Sequence, residues 1–213
     1  MAQKTQVHVL RHGEVFNPEK ILYGRLPGYK LSELGLKMAD RAADFFKDKN
    51  ISLVVSSPLE RAQQTALPTA KQHNLGIDTD DLLIEAENVF EGKKVSVGDG
   101  ALREPKNWWH LRNPITPSWG EPYKKVAERM RTAIFSARDV AKGKEALLVS
   151  HQLPIWIARL SAEGRSFVHD PRKRQCSLAS VTTFIFDGDS LVAVEYQEPA
   201  ADLLKDASKI SGA

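Results

Sequence analysis

Four short stretches of the chain carry residues suited to handling an anion. Arg11-His12-Gly13-Glu14 follows the apolar run Val7-His8-Val9-Leu10, and Arg61 lies in Ser57-Pro58-Leu59-Glu60-Arg61-Ala62, after the apolar residues 51–55. Val149-Ser150-His151 closes the apolar run 146–149, and Glu85 ends Leu83-Ile84-Glu85. Taken alone, Arg11-His12-Gly13-Glu14 reads equally well as an ordinary polar turn. Together, two arginines, two histidines and a carboxylic acid form a set that can move a phosphoryl group through a histidine. Arginine stays charged at any working pH and offers a forked donor to phosphate oxygens. A neutral imidazole escapes the repulsion that an anionic nucleophile meets at a phosphate monoester, which makes His12 the candidate attacker. Glu85 could protonate the leaving alkoxide if burial or negative neighbours raise its pKa. His151, if protonated, adds a third positive donor beside Arg11 and Arg61. This charge balance needs no metal, and the histidines are isolated with no His-x-x-x-His pair, so neither a metal nor a cofactor is expected.

Each of these stretches follows a strand-like run. In open α/β sheets ligands gather at the carboxyl ends of strands, so the placement suits the chemistry. Thr5, Val7, Val9 and Leu10 read as a buried strand, with Gly13 permitting a sharp turn out of it. Ser32 reads as the N-cap of a helix with an apolar stripe of Leu34, Leu36, Met38, Ala39, Ala42, Ala43, Phe45 and Phe46. Pro58 is placed in the first turn of a helix running to about Asn74, which puts Arg61 in its opening turns, where unpaired N–H groups favour anions. A further helix is expected over about 121–141, a central strand over 146–149, and a helix after His151 with Pro154 in its first turn. Residues 178–186 and 191–196 flank Asp187-Gly188-Asp189 as a hairpin. The order predicts an α/β fold, a three-layer α/β/α sandwich whose central sheet is mostly parallel with an antiparallel edge strand.

The blocks Arg11-His12-Gly13-Glu14, Ser57-Pro58-Leu59-Glu60-Arg61-Ala62-Gln63-Gln64-Thr65-Ala66 and Val149-Ser150-His151, in this order, resemble the histidine phosphatase superfamily, which includes the cofactor-dependent phosphoglycerate mutases. Residues 5–75 and 145–196 fit the family's core pattern. The resemblance implies a metal-independent phosphomonoesterase acting through a phosphohistidine on a small phosphorylated metabolite. Phosphoglycerate mutase is the alternative, although the familiar mutases are longer and carry an Arg-rich block after the acid that this chain lacks. A second alternative is a phosphate-binding module without turnover, against which the intact Arg11, His12, Arg61 and His151 argue. Asn17 could donate to a phosphate oxygen; the family often has an Asn one residue further from the histidine. The family's acid is followed by a Glu-Gly or Gln-Gly pair, and Glu91-Gly92 comes one residue early here. That leaves Glu85 and Glu87 open, with Glu85 favoured for its place directly after Leu83-Ile84. Glu14 either orders Arg11 or Arg61, or caps the turn.

Length and composition bound the rest. With 213 residues, one domain over 1–198 is expected, with an insertion at about 93–122 and a polar tail at 199–213. The insertion holds Trp108, Trp109 and Trp119, and reads either as a packed excursion or as a lid over the site. A hydrophobic share of 42% and a charged share of 27% are ordinary globular values, so disorder is not indicated. A net charge of +3 is too small to suggest a nucleic-acid partner. No apolar run approaches a membrane span, and the start is too short for a signal peptide, so a cytoplasmic protein is expected; the resemblance implies a small-molecule phosphate ester as its partner. Cys176, the single cysteine, excludes an internal disulfide and reads as a half-buried hydrophobe in a strand. His8 reads as a structural histidine, and Arg172-Lys173-Arg174 as a solvated run.

Overall fold

The computed structural model describes residues 4–94 and 119–207. In chain order its elements are β1 (Thr5–Arg11), α1 (Glu33–Phe46), β2 (Ile51–Ser56), α2 (Glu60–Gln72), β3 (Asp78–Thr79), α3 (Tyr123–Val140), β4 (Glu145–Ser150), α4 (Gln152–Ala162), β5 (Val181–Asp187) and β6 (Ser190–Gln197). Strand alternation divides the core in two. Val7 and Val9 of β1, with Ala146 and Leu148 of β4, pack against Val126, Met130 and Ile134 of α3 and Ile155 and Ile157 of α4. Leu10, Leu147 and Val149 face the other way, onto Met38, Ala42 and Phe46 of α1 and Ala62 and Ala66 of α2. The predicted three layers follow directly from this period-two pattern.

The sheet order is β3-β2-β4-β1-β5-β6. The pairings β3–β2, β2–β4 and β4–β1 are parallel, while β5 and β6, the expected hairpin, add the antiparallel edge. Because β4 lies between β1 and β2, the carboxyl ends of all three emerge together. The turn residues keep that register: the N–H of His12 donates to the Ser150 carbonyl at 3.1 Å, and the N–H of Ser57 to the Val149 carbonyl at 2.9 Å. The segment entering β5 arrives at the same end, where the Arg11 N–H meets the Ser180 carbonyl at 2.9 Å.

Several local expectations change. Ser32 does cap α1, its hydroxyl accepting from the Gly35 N–H at 2.9 Å, but Leu36 falls outside the buried stripe and is exposed. Pro58 precedes α2, whose cap is Leu59 and whose last residue is Gln72. Gly13 does not have a positive φ. It is required instead by close packing, because a Cβ there would lie 2.5 Å from the carbonyl oxygen of Gly35 in α1. Cys176 lies ahead of β5 and is fully buried. The described part of the segment read as a polar tail, residues 199–207, returns to the core. Residues 201–206 form a 3-10 helix, Leu203 and Leu204 pack on the α1–α2 side, and Asp202 pairs with Arg41 at 3.0 Å. His8 is structural, its ring held between Thr183 Oγ1 at 2.9 Å and Glu145 Oε2 at 2.7 Å. Most of the 93–122 insertion, with Trp108 and Trp109, lies outside the described residues. Among those described, no helix is long and apolar enough to cross a membrane.

Candidate active site

His12 leaves β1 into the turn with its ring fully buried. Its Nδ1 lies 2.8 Å from the carbonyl oxygen of Gly13, which can only accept, so Nδ1 carries the proton. Burial, and then the charges of Arg61 and Arg11, hold the imidazole well below its usual pKa. The ring is neutral near pH 7, and Nε2 keeps its lone pair with no partner in the protein.

The two arginines reach the same place from different elements. Arg11 ends β1 and donates through Nη1 to the Cys176 carbonyl at 2.7 Å. Arg61, in the first turn of α2, donates through Nη2 to the Gly24 carbonyl at 2.5 Å, with its guanidinium 4.8 Å from the centre of the Tyr23 ring. Neither forms an ion pair among the described residues, and the Nε of each is buried without a partner. Two uncompensated buried cations are costly, and an anion between them would offset that cost. Thr65, one turn along α2, accepts the Gly13 N–H at 3.2 Å and donates to the Arg61 carbonyl at 2.7 Å, fixing the turn after His12 to the helix that carries Arg61.

His151 directly follows β4 and is fully buried, its ring centre 5.1 Å from that of His12 and tilted by 60°. Nε2 lies 2.8 Å from the Ser57 hydroxyl, and Nδ1 is unpartnered. Burial, then Arg61 and His12, keep this ring well below its usual pKa too. The condition on which His151 would add a third charge is thus disfavoured in the free protein, by the low-dielectric setting and the neighbouring arginines. A neutral imidazole still offers one N–H.

The structure separates the two candidate acids. Glu85 is 3% exposed, with Oε1 accepting the Ala86 N–H at 2.8 Å and Oε2 buried and unpartnered. Burial pushes its pKa up, against the opposing pull of Arg61, Arg11 and Arg174. The Glu87 side chain is 69% exposed and pairs with Arg25 at 2.8 Å. Only Glu85 joins the buried group.

The loop 15–30 holds two of these residues in place. Tyr23 and Gly24 hold Arg61, while Arg25 donates through Nε to the Glu85 carbonyl at 2.6 Å and through Nη2 to Glu121 at 3.3 Å. Glu121 in turn accepts two bonds from Arg129 at 3.0 Å, and Arg129 Nη1 holds the Leu82 carbonyl at 2.6 Å. The segment bearing Glu85 is thereby clamped on both sides. Asn17 braces its own loop, its amide donating to the Ile21 carbonyl at 2.8 Å and accepting the Ile21 N–H at 3.3 Å. The Glu14 carboxylate accepts from the Ser32 hydroxyl at 2.6 Å, joining the turn after His12 to the start of α1.

Sequence reasoning missed Tyr23, Arg25, Ser57, Thr65 and Arg174. Ser57 and Thr65 stand inside the Ser57–Ala66 block, so their signal was available. Arg174 was hidden in a basic run of which Arg172 does remain solvated and paired with Asp170. Arg174 itself turns inward, donating to His169 Nε2 at 2.9 Å and to Gln152 Oε1 at 3.4 Å.

This fold, with Arg11 and His12 at the end of β1, His151 after β4 and Arg61 in the first turn of α2, defines a class, and the chain belongs to the histidine phosphatase superfamily: the model of its branch 1 matches residues 7–199. The chain is 56% identical over 201 residues to the uncharacterized protein Rv0525 of Mycobacterium tuberculosis, covering 94% of this chain and 100% of that one. It is 29% identical over 185 residues to a probable phosphoglycerate mutase, GpmB, of Yersinia pestis, covering 83% and 84% of the two chains. The structure of YhfR from Bacillus stearothermophilus superposes with a TM-score of 0.74 at 25% identity, covering 90% of this chain and 96% of that one.

Proposed function

We propose that the protein is a metal-independent phosphomonoesterase that acts on a small phosphorylated metabolite through a phosphohistidine on His12. One observation carries the reading. Arg11 Nε, His12 Nε2, Arg61 Nε, Glu85 Oε2 and His151 Nδ1 are all buried without a protein partner, and they belong to the five residues whose chemistry suits phosphoryl transfer. Buried polar atoms are rarely left unsatisfied: phosphate oxygens would accept from Arg11, Arg61 and His151, the ester oxygen would take the Glu85 proton, and phosphorus would meet the His12 lone pair.

His12 Nε2 attacks phosphorus, forming the N–P bond as the P–O ester bond breaks. The proton of Glu85 passes to the departing alkoxide. Arg11 and Arg61 neutralise the charge on the equatorial oxygens throughout. Water then attacks the phosphohistidine and gives its proton to the Glu85 carboxylate, which releases inorganic phosphate and restores His12 and the protonated acid. The unpartnered lone pair on His12 also counts against a pure binding module, which needs no nucleophile.

The name of the Yersinia relative keeps phosphoglycerate mutase as a second reading. The test is a panel of phosphorylated metabolites and p-nitrophenyl phosphate, with and without a chelator, measured beside the isomerisation of 3-phosphoglycerate. Phosphate release that is unchanged by the chelator and inhibited by vanadate is expected. Isomerisation without net release would select the mutase, and binding of phosphate without either would select the module.

A further inference from the structure

We propose that Ser57 sets the proton of His151, so that this ring turns an N–H, and not a lone pair, toward the phosphoryl oxygens. The Ser57 hydroxyl is fully buried, 2.8 Å from His151 Nε2. Its oxygen accepts the Leu59 N–H at 3.4 Å, which consumes a lone pair and not the hydrogen. Among the described residues the acceptor in reach of that hydrogen is His151 Nε2. Were the ring the donor instead, a buried hydroxyl hydrogen would be left without an acceptor, which folded proteins largely avoid. Nε2 therefore accepts, and the neutral ring holds its proton on Nδ1. Nδ1 is the nitrogen that is buried and unpartnered.

His12 holds its proton on Nδ1 as well, but there Nδ1 is turned away to the Gly13 carbonyl. The two rings thus share one tautomer and present opposite nitrogens: His12 offers the Nε2 lone pair to phosphorus, and His151 offers the Nδ1 proton to an oxygen. Without the serine, a neutral His151 would be free to carry its proton on Nε2 and aim a lone pair at phosphate oxygens. The placement of Ser57 comes from the sheet. Ser56 pairs with Val149, and the Ser57 N–H binds the Val149 carbonyl at 2.9 Å, so the residues that follow β2 and β4 stand side by side. Ser57 touches no reacting atom and is a positioning residue. Its consequence for turnover rests on the phosphohistidine reading; the proton assignment does not.

The test uses the full chain labelled with 15N-histidine, reading the ring nitrogens through long-range proton correlations, with His151→Gln to identify the His151 signals. At neutral pH the wild type should show a protonated Nδ1 and a bare Nε2 at His151. In Ser57→Ala the His151 proton should move toward Nε2 while His12 keeps its pattern, and vanadate affinity should fall about tenfold, with KM for p-nitrophenyl phosphate rising. Ser57→Thr, which keeps the hydroxyl, should restore the wild-type pattern. A wild-type His151 protonated on Nε2, or a tautomer unchanged in Ser57→Ala, overturns the proposal. If Ser57→Ala does not fold, the wild-type spectrum decides alone. Correct protonation in a protein that releases phosphate from no ester would uphold the assignment and sink the functional reading.

Discussion

The rings of His12 and His151 stand 5.1 Å apart, tilted by 60°, and each keeps one buried nitrogen that no protein group partners. Register brings them together. Arg11 pairs with Ser150 across the parallel strands β1 and β4, so the next residue of each strand emerges at the same level. Chemistry at this point is then a matter of what surrounds the pair, and that can be tested residue by residue.

His12→Ala should remove turnover while the protein stays folded, because His12 forms the covalent intermediate and the ring is held mainly by its own turn. Quenching the wild type with a labelled substrate should trap acid-labile, alkali-stable phosphate on the chain. Turnover retained by the variant would exclude a phosphohistidine on His12.

Glu85→Gln should lower kcat by about 10²- to 10⁴-fold for esters with poor leaving groups and far less for p-nitrophenyl phosphate, whose leaving group needs little help. Glu87→Gln, an exposed residue paired with Arg25, should change kcat little. Leaving-group dependence in Glu87→Gln but not in Glu85→Gln would reverse the assignment.

Arg25→Met removes the charged bond to the Glu85 carbonyl and one partner of Glu121. The loss expected for such a bond is a drop of about tenfold in kcat for poor leaving groups, with vanadate affinity affected less. An equal loss in both would mean that Arg25 contributes to phosphate binding and not to holding the acid.

Arg174 favours the ionised form of Glu85 by its charge. Arg174→Met should therefore raise the Glu85 pKa further. Because the protonated acid is the active form in the first step, the alkaline limb of kcat/KM should move to higher pH. A limb that moves to lower pH, or not at all, would show that Arg174 does not act on Glu85.

Stability should fall as the medium is acidified below about pH 6.5. His12 and His151 are held well below their usual pKa by burial, so the native state stays neutral while the unfolded chain takes up protons. The contribution is fully present above pH 6.5 and is lost as pH falls toward the folded values, at up to about 1.4 kcal/mol per pH unit for each histidine. Glu85 acts in the opposite sense, since its raised pKa favours the native state at low pH and that benefit is lost as pH rises through its folded value. His8 and His169, also held below their usual pKa by burial, add to His12 and His151, so the histidines outnumber Glu85. Urea midpoints between pH 7.5 and 5.5 should show the decline, and it should shrink in a His12→Gln, His151→Gln variant.

Arg11, His12, Arg61 and His151 were legible from the sequence alone because each directly follows, or opens the helix after, an apolar run, and a strand end is a local pattern. The α/β/α layering was legible for the same reason, through the alternation that sends Leu147 and Val149 to one face and Ala146 and Leu148 to the other. Tertiary structure alone buries Glu85 and leaves Glu87 exposed, two residues apart in an irregular segment with no periodicity to say which side chain turns inward. It also turns Arg174 inward from a solvated run onto His169, bonds Asn17 within its own loop, and makes Gly13 necessary for the approach of Gly35. The bonds from Gly24 to Arg61 and from Arg25 to Glu85 join segments far apart in the chain. Such contacts are fixed by how helices and loops pack on the sheet, and local sequence carries no signal for them.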